Sequence, residues 1–249
     1  MNMKILVCIS KTPDTTSKIA FTEGNTKFDE NGVQWIINPY DEWYSLVKAI
    51  VLKEKDPSIL IHLITVGGAD TEPIIRKALA LGGDEAIRVN NTSNDSMVVA
   101  QEIAAIAKEG AYDLILTGKE TIDYNSASIG SMLCALLDTT FIPNAIALEV
   151  NGTTAIVKRE IEGGEESCET SLPIILSCQK GMAEQRIPNM RGIMAARTKP
   201  LKVVEASIHN VTTSIKKFDT PPAKSGVKLV EAGNMDEMVR LLKEEAKVI

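Results

Sequence analysis

Residues suited to binding a ligand lie in four short segments next to predicted strands and helices: 10–14, 38–41, 66–68 and 118–130. They are rich in Gly, Ser, Thr, Asn and Asp. In open α/β sheets, ligands bind beyond the carboxyl ends of the strands, where free N–H groups at helix starts can hold phosphate. The four segments therefore predict a binding site.

The segment 118–130 carries the most information. Eight of its thirteen residues are Gly, Ser, Thr, Asp, Asn or Lys, and it joins a buried strand to an amphipathic helix. Free backbone donors and short hydroxyls at such a junction can form an anion nest. This segment therefore predicts nucleotide binding.

The other three segments each allow two interpretations. Lys11 could meet a phosphate or lie in a solvated turn. Asn38 and Pro39 resemble an N-cap followed by a first-turn proline, while Asp41 would repel phosphate and suit a sugar hydroxyl or a base edge. The glycines of Val66-Gly67-Gly68 would let a ligand approach the backbone, or simply form a turn.

Several functional classes are excluded by what the chain lacks. It contains no GxGxxG, GxxxxGK[ST], GxSxG or HExxH motif, and only two histidines, so no nucleophile and base stand out. The formal charge of −6 argues against a nucleic-acid binder. The four cysteines form no CxxC pair and are expected to be reduced thiols, and His62 is expected to be a core residue. No apolar run approaches a membrane span and no leader is visible, so we expect a cytoplasmic protein.

The first half of the chain predicts the frame that positions these segments. Apolar runs at 4–9, 59–66, 86–89 and 114–117 alternate with helical periodicity at 41–54, 71–81, 95–108 and from 129 onwards. Such alternation is typical of an α/β fold, a parallel sheet covered by helices on both faces.

The second half of the chain changes character. A hairpin is predicted over 146–150 and 154–161 around Asn151-Gly152, followed by strands at 169–172 and 173–177. Residues 178–200 predict a long loop with no more than one helical turn, which is usually functional. A linker at 220–225 leads to a helix over 235–246.

In order and spacing, six segments resemble the beta subunit of electron-transfer flavoproteins over nearly the whole chain. They are KTPD (11–14), NPYDE (38–42), ALALGGDEAIRV (78–89), GKETID (118–123), KREIEGGEE (158–166) and RIPNMRGIMAARTKP (186–200). The resemblance implies a three-layer, Rossmann-like fold of the adenine-nucleotide alpha-hydrolase type. It also implies a nucleotide-binding domain over 1–219 and a C-terminal linker and helix over 220–249 that pack on an alpha subunit.

The resemblance implies an electron carrier rather than an enzyme. A heterodimer with an alpha subunit, which holds most of the FAD, would take electrons from acyl-CoA dehydrogenases, as in fatty acid oxidation, and pass them to a quinone reductase or another acceptor. The beta subunit would bind AMP. The implied nucleotide site comprises Cys8, Asn38, Pro39, Tyr40, Asp41, Val66, Gly118, Lys119, Glu120, Thr121, Ile122, Asp123, Tyr124, Asn125, Ser126, Ala127, Ser128 and Ile129.

The resemblance also assigns two contact regions. The segment 178–200 would dock on the dehydrogenase through Met190, with Arg186, Arg191 and Arg197 as a basic rim. Glu160 would contact the mobile FAD domain of the alpha subunit.

The chain departs from the family pattern at Tyr124-Asn125-Ser126 and at Ser128. A tyrosine could stack on a base or exclude a second flavin. One alternative is therefore a bifurcating assembly in which the beta subunit holds a second FAD that accepts hydride from NADH. Another is a stand-alone adenine-nucleotide regulator of the universal-stress type, against which the additional region 144–200 speaks.

Overall fold

The structure, a computed structural model, describes residues 3–208, 210–223 and 226–249. His209, and Lys224 and Ser225 of the predicted linker, lie outside the described residues. The strands are β1 (Lys4–Cys8), β2 (Lys11–Pro13), β3 (Phe21–Thr22), β4 (Lys27–Phe28), β5 (Trp35–Ile37), β6 (Leu60–Val66), β7 (Glu85–Asn90), β8 (Leu114–Gly118), β9 (Thr140–Asn151), β10 (Thr154–Ile161), β11 (Gly164–Ser171), β12 (Ile174–Cys178) and β13 (Leu201–Glu205). The helices are α1 (Asp41–Lys55), α2 (Glu72–Leu81), α3 (Ser96–Gly110), α4 (Ile129–Leu137), α5 (Met190–Ala196) and α6 (Met235–Arg240), which continues as a π-helical segment over Leu241–Ala246.

Nine strands form one sheet in the order β11-β10-β9-β12-β8-β1-β6-β7-β13. The seven strands from β9 to β13 in this order are parallel, and β10 and β11 extend the sheet as antiparallel strands. This arrangement confirms the predicted α/β fold with a mostly parallel sheet.

Helices cover both faces of the sheet, as alternate residues of the central strand show. Ile5 and Val7 pack in a buried cluster with α1 and α2, whereas Leu6 and Cys8 pack with α3 and α4. Because both faces are covered, these strands are apolar at successive positions and show no alternation. The predicted three layers are confirmed.

The structure contains elements that the sequence pattern did not predict. Strand β13 pairs with β7 at the edge of the sheet, and the segment 11–37 folds into two small ribbons, β2–β5 and β3–β4. The segment 178–200 contains the seven-residue helix α5, so the prediction of a single turn at most was too short.

Three further expectations can be compared with the described residues. All four cysteines are free. His62 is largely buried, and its Nδ1 lies 2.9 Å from the hydroxyl of Tyr112, as expected for a satisfied core histidine. Within the described ranges, no helix combines the length and apolar composition needed to cross a bilayer.

Candidate functional site

The chain order across the sheet reverses between β1 and β8, and the region beyond the carboxyl ends of these two strands is the candidate crevice. From β1 the chain proceeds to β6 and β7 on one side, then returns through α3 to β8 on the other side. Ligands of open α/β folds bind at such a switch point, beyond the carboxyl ends of the strands. The predicted residues Cys8 and Gly118 end these two strands.

Asn38 fastens two of the predicted segments together. Its side chain is fully buried, and its Nδ2 donates to the carbonyl oxygen of Glu120 (2.8 Å) while its Oδ1 accepts from the N–H of Ile122 (3.1 Å). The prediction that Asn38 caps α1 is therefore wrong. The helix begins at Asp41, and Tyr40 occupies the N-cap position without a side-chain hydrogen bond.

The start of α1 contacts the 118–122 backbone directly. Asp41 Oδ2 accepts from the N–H of Glu120 (3.2 Å), and Ser45 Oγ donates to the carbonyl oxygen of Thr117 (2.8 Å). Burial raises the pKa of the Asp41 carboxyl, and the hydrogen bond from Glu120 opposes part of that shift. Tyr40, which follows Pro39, is half exposed and has φ of 66°. This sparsely populated backbone conformation turns the chain sharply into the helix.

The predicted site omitted Glu42 and Ser10, which the structure places at the floor of the crevice. Glu42 is 4% exposed, and its carboxylate oxygens accept from the N–H of Ser10 (2.6 Å) and from its hydroxyl (2.7 Å). Helical phase was the available signal, because Glu42 lies one turn before the fully buried Leu46. Burial also raises the pKa of the neighbouring Cys8, which therefore remains a thiol.

The segment 121–128 rises out of the crevice as an exposed loop. Asn125 and Ala127 have φ of 50° and 49°, whereas Ser128 has φ of −106°. Alternation of right- and left-handed residues can point successive N–H groups toward one side, as in an anion nest. In the part of the chain that the structure describes, no acceptor is found for the N–H groups of Ser126, Ala127 and Ser128.

The remaining loop residues surround this nest. The N–H of Lys119 donates to the carbonyl oxygen of Cys178 (2.9 Å). Tyr124 is about half exposed, at 48%, and its hydroxyl lies 3.4 Å from Asn94 Nδ2. The Asp123 carboxylate accepts from the N–H of Tyr124 (2.9 Å). The N–H of Asn125 donates to the carbonyl oxygen of Thr121 (2.9 Å). Ile129 begins α4.

The Gly67-Gly68 turn and Lys11 have structural partners. A Cβ at Gly67 would lie 2.5 Å from Thr71 Cγ2, so the glycine is explained by the tight turn after Val66. The ammonium of Lys11 pairs with Asp70 and lies 3.8 Å from the centre of the Trp35 ring. These contacts favour the plain-turn interpretation for Gly67-Gly68. Lys11 lies at the start of β2 with a largely buried, paired side chain, so the prediction of a solvated turn is wrong for it.

The predicted docking segment presents an apolar surface around α5. Met190 is 73% exposed and Ile187 is 88% exposed, with Ile193 and Met194 also exposed beside them. A Cβ at Gly192 would lie 2.3 Å from the carbonyl oxygen of Ala80, so α5 packs tightly on α2. Ile187, the most exposed apolar side chain of this segment, was not among the predicted docking residues.

The three arginines of the predicted rim differ in their surroundings. Arg191 and Arg197 are exposed. Arg186 instead forms a two-pronged ion pair with Glu54 (2.6 and 3.0 Å), and its carbonyl oxygen accepts from Trp43 Nε1 (3.0 Å). Arg186 therefore fixes the base of the segment.

Glu160 lies far along the antiparallel extension of the sheet. It is an exposed residue near the end of β10, and its carboxylate accepts a hydrogen bond from Gln179 Nε2. Gln179 follows Cys178, whose carbonyl oxygen accepts from the N–H of Lys119, so Glu160 lies toward the same carboxyl ends of the strands as the crevice residues.

The whole chain matches proteins of one family. A model of the electron transfer flavoprotein domain matches residues 25–209. The chain is 37% identical to the electron transfer flavoprotein subunit beta of Bacillus subtilis (strain 168), over 99% of this chain and 100% of that protein. The chain belongs to the electron transfer flavoprotein beta-subunit family.

Two other relatives show the breadth of this family. The electron transfer flavoprotein subunit beta of Syntrophomonas wolfei is 36% identical, over 92% of this chain and 90% of that protein. A 29% identical protein of Acetobacterium woodii, aligned over 98% of each chain, is named caffeyl-CoA reductase-Etf complex subunit CarD. Membership of the electron transfer flavoprotein family supports a role in electron transfer.

Proposed function

We propose that this chain is the beta subunit of a heterodimeric electron transfer flavoprotein and that its crevice binds AMP as a structural ligand. The observation that carries the nucleotide proposal is the set of free N–H groups at 126–128, in a loop fastened to α1 by Asn38 and Asp41. These donors would hold the phosphate. The carboxylate of Asp41 would suit a ribose hydroxyl. The FAD that carries the electrons would be held mainly by the alpha subunit.

Tyr124 favours AMP over a second flavin. Its half-exposed side chain belongs to the loop that would surround the nucleotide, where a ring would reduce the room for an isoalloxazine. A second candidate function is a bifurcating assembly with FAD at this site. This candidate is supported by the similarity to the relative named as a subunit of a caffeyl-CoA reductase-Etf complex.

The nucleotide content of the purified heterodimer tests this proposal. The chain is co-expressed with its alpha subunit, the complex is denatured, and released FAD and AMP are quantified against protein. We expect one FAD and one AMP per heterodimer. Two FAD molecules and no AMP would contradict the AMP proposal and favour the bifurcating candidate, for which oxidation of NADH is the next assay.

We further propose that the exposed surface of Ile187, Met190, Ile193 and Met194 docks on donor dehydrogenases of the acyl-CoA type. Adjacent exposed apolar side chains of this kind mark protein contacts, and methionine adapts to varied partner surfaces. Arg191 and Arg197 would attract an acidic partner. Glu160 would contact the FAD domain of the alpha subunit.

Truncation of the two most exposed side chains tests the docking surface. Met190→Ala and Ile187→Ala should each slow electron transfer from the dehydrogenase by about fivefold or more, the effect of losing one interface hot spot. Nucleotide content and heterodimer assembly should not change. Ile19→Ala, at an exposed apolar residue outside α5 and its flanks, serves as the control. Unchanged transfer rates in both variants would remove this surface from the account.

A further inference from the structure

Glu42 connects the three segments that form the crevice. It belongs to the first turn of α1, and its carboxylate holds both the N–H and the hydroxyl of Ser10 at the end of β1. A Cβ at Gly118 would lie 2.8 Å from Glu42 Cγ, so the start of the 118–130 segment rests directly on this side chain. A change in the Glu42 side chain would therefore alter contacts on both sides of the crevice.

The surroundings of Glu42 disfavour its charged form. Burial raises the pKa of Glu42 to about 8, the two hydrogen bonds from Ser10 oppose this shift, and the carboxyls of Asp123 and Asp41 add to it. The thiol of Cys8 faces it from β1. Within the described ranges, Glu42 takes part in no ion pair. The nearby positive charge of Lys119 instead opposes the rise that burial causes in the pKa of Asp41. An additional negative charge here would favour protonation.

We propose that Glu42 is a positioning residue of the nucleotide site and that, at alkaline pH, its carboxyl takes up a proton from solvent when a nucleotide binds. The inference rests on the proposed nucleotide function. A nucleotide bound in the crevice would add negative charge to a site whose 118–130 segment begins on the Glu42 side chain, and it would displace water. Both effects would favour the neutral carboxyl.

Protonation would also reverse one hydrogen bond. In the charged state, the hydroxyl of Ser10 donates to Glu42 Oε1. Once protonated, the carboxyl O–H donates to Ser10 Oγ, and its other oxygen still accepts from the N–H of Ser10. The hydroxyl hydrogen of Ser10 is then free to turn toward the ligand. The serine thereby gains a donor for the nucleotide only in the protonated state.

The pH dependence of AMP affinity tests the coupling. The heterodimer containing the full chain, freed of nucleotide, is titrated with AMP from about pH 7.5 to about pH 9.5, well above the second pKa of a phosphate monoester near about 6. Because a group whose pKa rises on binding favours the complex at lower pH, the Kd should increase with pH, by at most about tenfold per pH unit. Calorimetry in two buffers of different ionisation enthalpy should show uptake of up to one proton.

Two variants separate this coupling from general effects of charge. Glu42→Gln keeps the shape and an oxygen for the N–H of Ser10, so it should bind AMP with a flat pH profile and without proton uptake. Glu149→Gln, which removes an exposed carboxyl on β9, should keep the profile of the unmodified chain. A Kd that is independent of pH in the unmodified heterodimer would overturn the inference and leave the nucleotide proposal intact. Absence of AMP binding at every pH would contradict the proposed nucleotide function itself.

Discussion

Asn38 is a buried residue whose side-chain amide fixes the 118–122 segment in place. It donates to the carbonyl oxygen of Glu120 and accepts from the N–H of Ile122. We predict that Asn38→Ala destabilises the chain by about 2–3 kcal/mol, because both backbone groups lose their partner in a partly buried position. For a chain of this size the thermal midpoint should fall by about 5–10 °C, measurable by circular dichroism.

A second asparagine provides the matched control for Asn38. Asn94 is exposed, and its side chain makes one long hydrogen bond of 3.4 Å, to the hydroxyl of Tyr124, within the described residues. Asn94→Ala should change stability by less than about 0.5 kcal/mol, as most surface substitutions do. Equal midpoints for the two variants would mean that Asn38 does not hold the segment in place.

Asn38 also shows why local sequence rules were insufficient at this site. The series Asn-Pro-Tyr-Asp satisfies the statistical pattern of a helix start, and that pattern predicted a cap. The amide is instead used by a segment more than eighty residues away in the chain. A local rule contains no information on such a partner, whereas helical phase, which reports burial, did contain the signal for Glu42.

Secondary structure elements were predictable where a continuous apolar pattern defined them. Strands β1, β6 and β8 and helices α1 to α4 have the predicted type and nearly the predicted bounds, since burial imposes their periodicity. Strand β13 was missed because its residues are mostly exposed and it pairs only with β7, so backbone hydrogen bonds rather than apolar side chains define it. Helix α5 was predicted too short for a related reason, since only Ala196 of its residues is buried.

The C-terminal region consists of two segments that differ in how they contact the body of the protein, which is the sheet with its covering helices. Residues 206–208 and 210–218 form a strap along the body. Asp95 accepts from the N–H and hydroxyl of Thr212 and from the N–H of Thr213, and Phe218 stacks on Phe21 with ring centres 4.7 Å apart. These hydrogen bonds, led by that from the Thr212 hydroxyl, hold the pKa of Asp95 well below its usual range. The strap therefore stays fastened at neutral pH, where this carboxylate is charged.

Beyond the strap, the segment 226–249 has a different character. Every hydrogen bond and ion pair recorded for it joins two residues of the same segment. Most of its apolar side chains are exposed, with Leu229 at 93% and Val227 at 82%, as are Met235, Met238 and Val239. A segment that buries so little of its apolar surface contributes little to the stability of the body but offers a large area to a partner.

Deletion of residues 220–249 tests this division of the molecule. Because the strap ends at Phe218, the shortened chain should keep its thermal midpoint within about 2 °C, as for a change that removes few buried contacts. It should, however, lose most of its co-purification with the alpha subunit, measured by affinity capture and size-exclusion chromatography. Lys243→Ala, which alters only a polar position of the same segment, should retain the complex. A large fall in the midpoint of the isolated chain would show that the segment belongs to the body, whereas retained co-purification would show that the alpha subunit binds elsewhere.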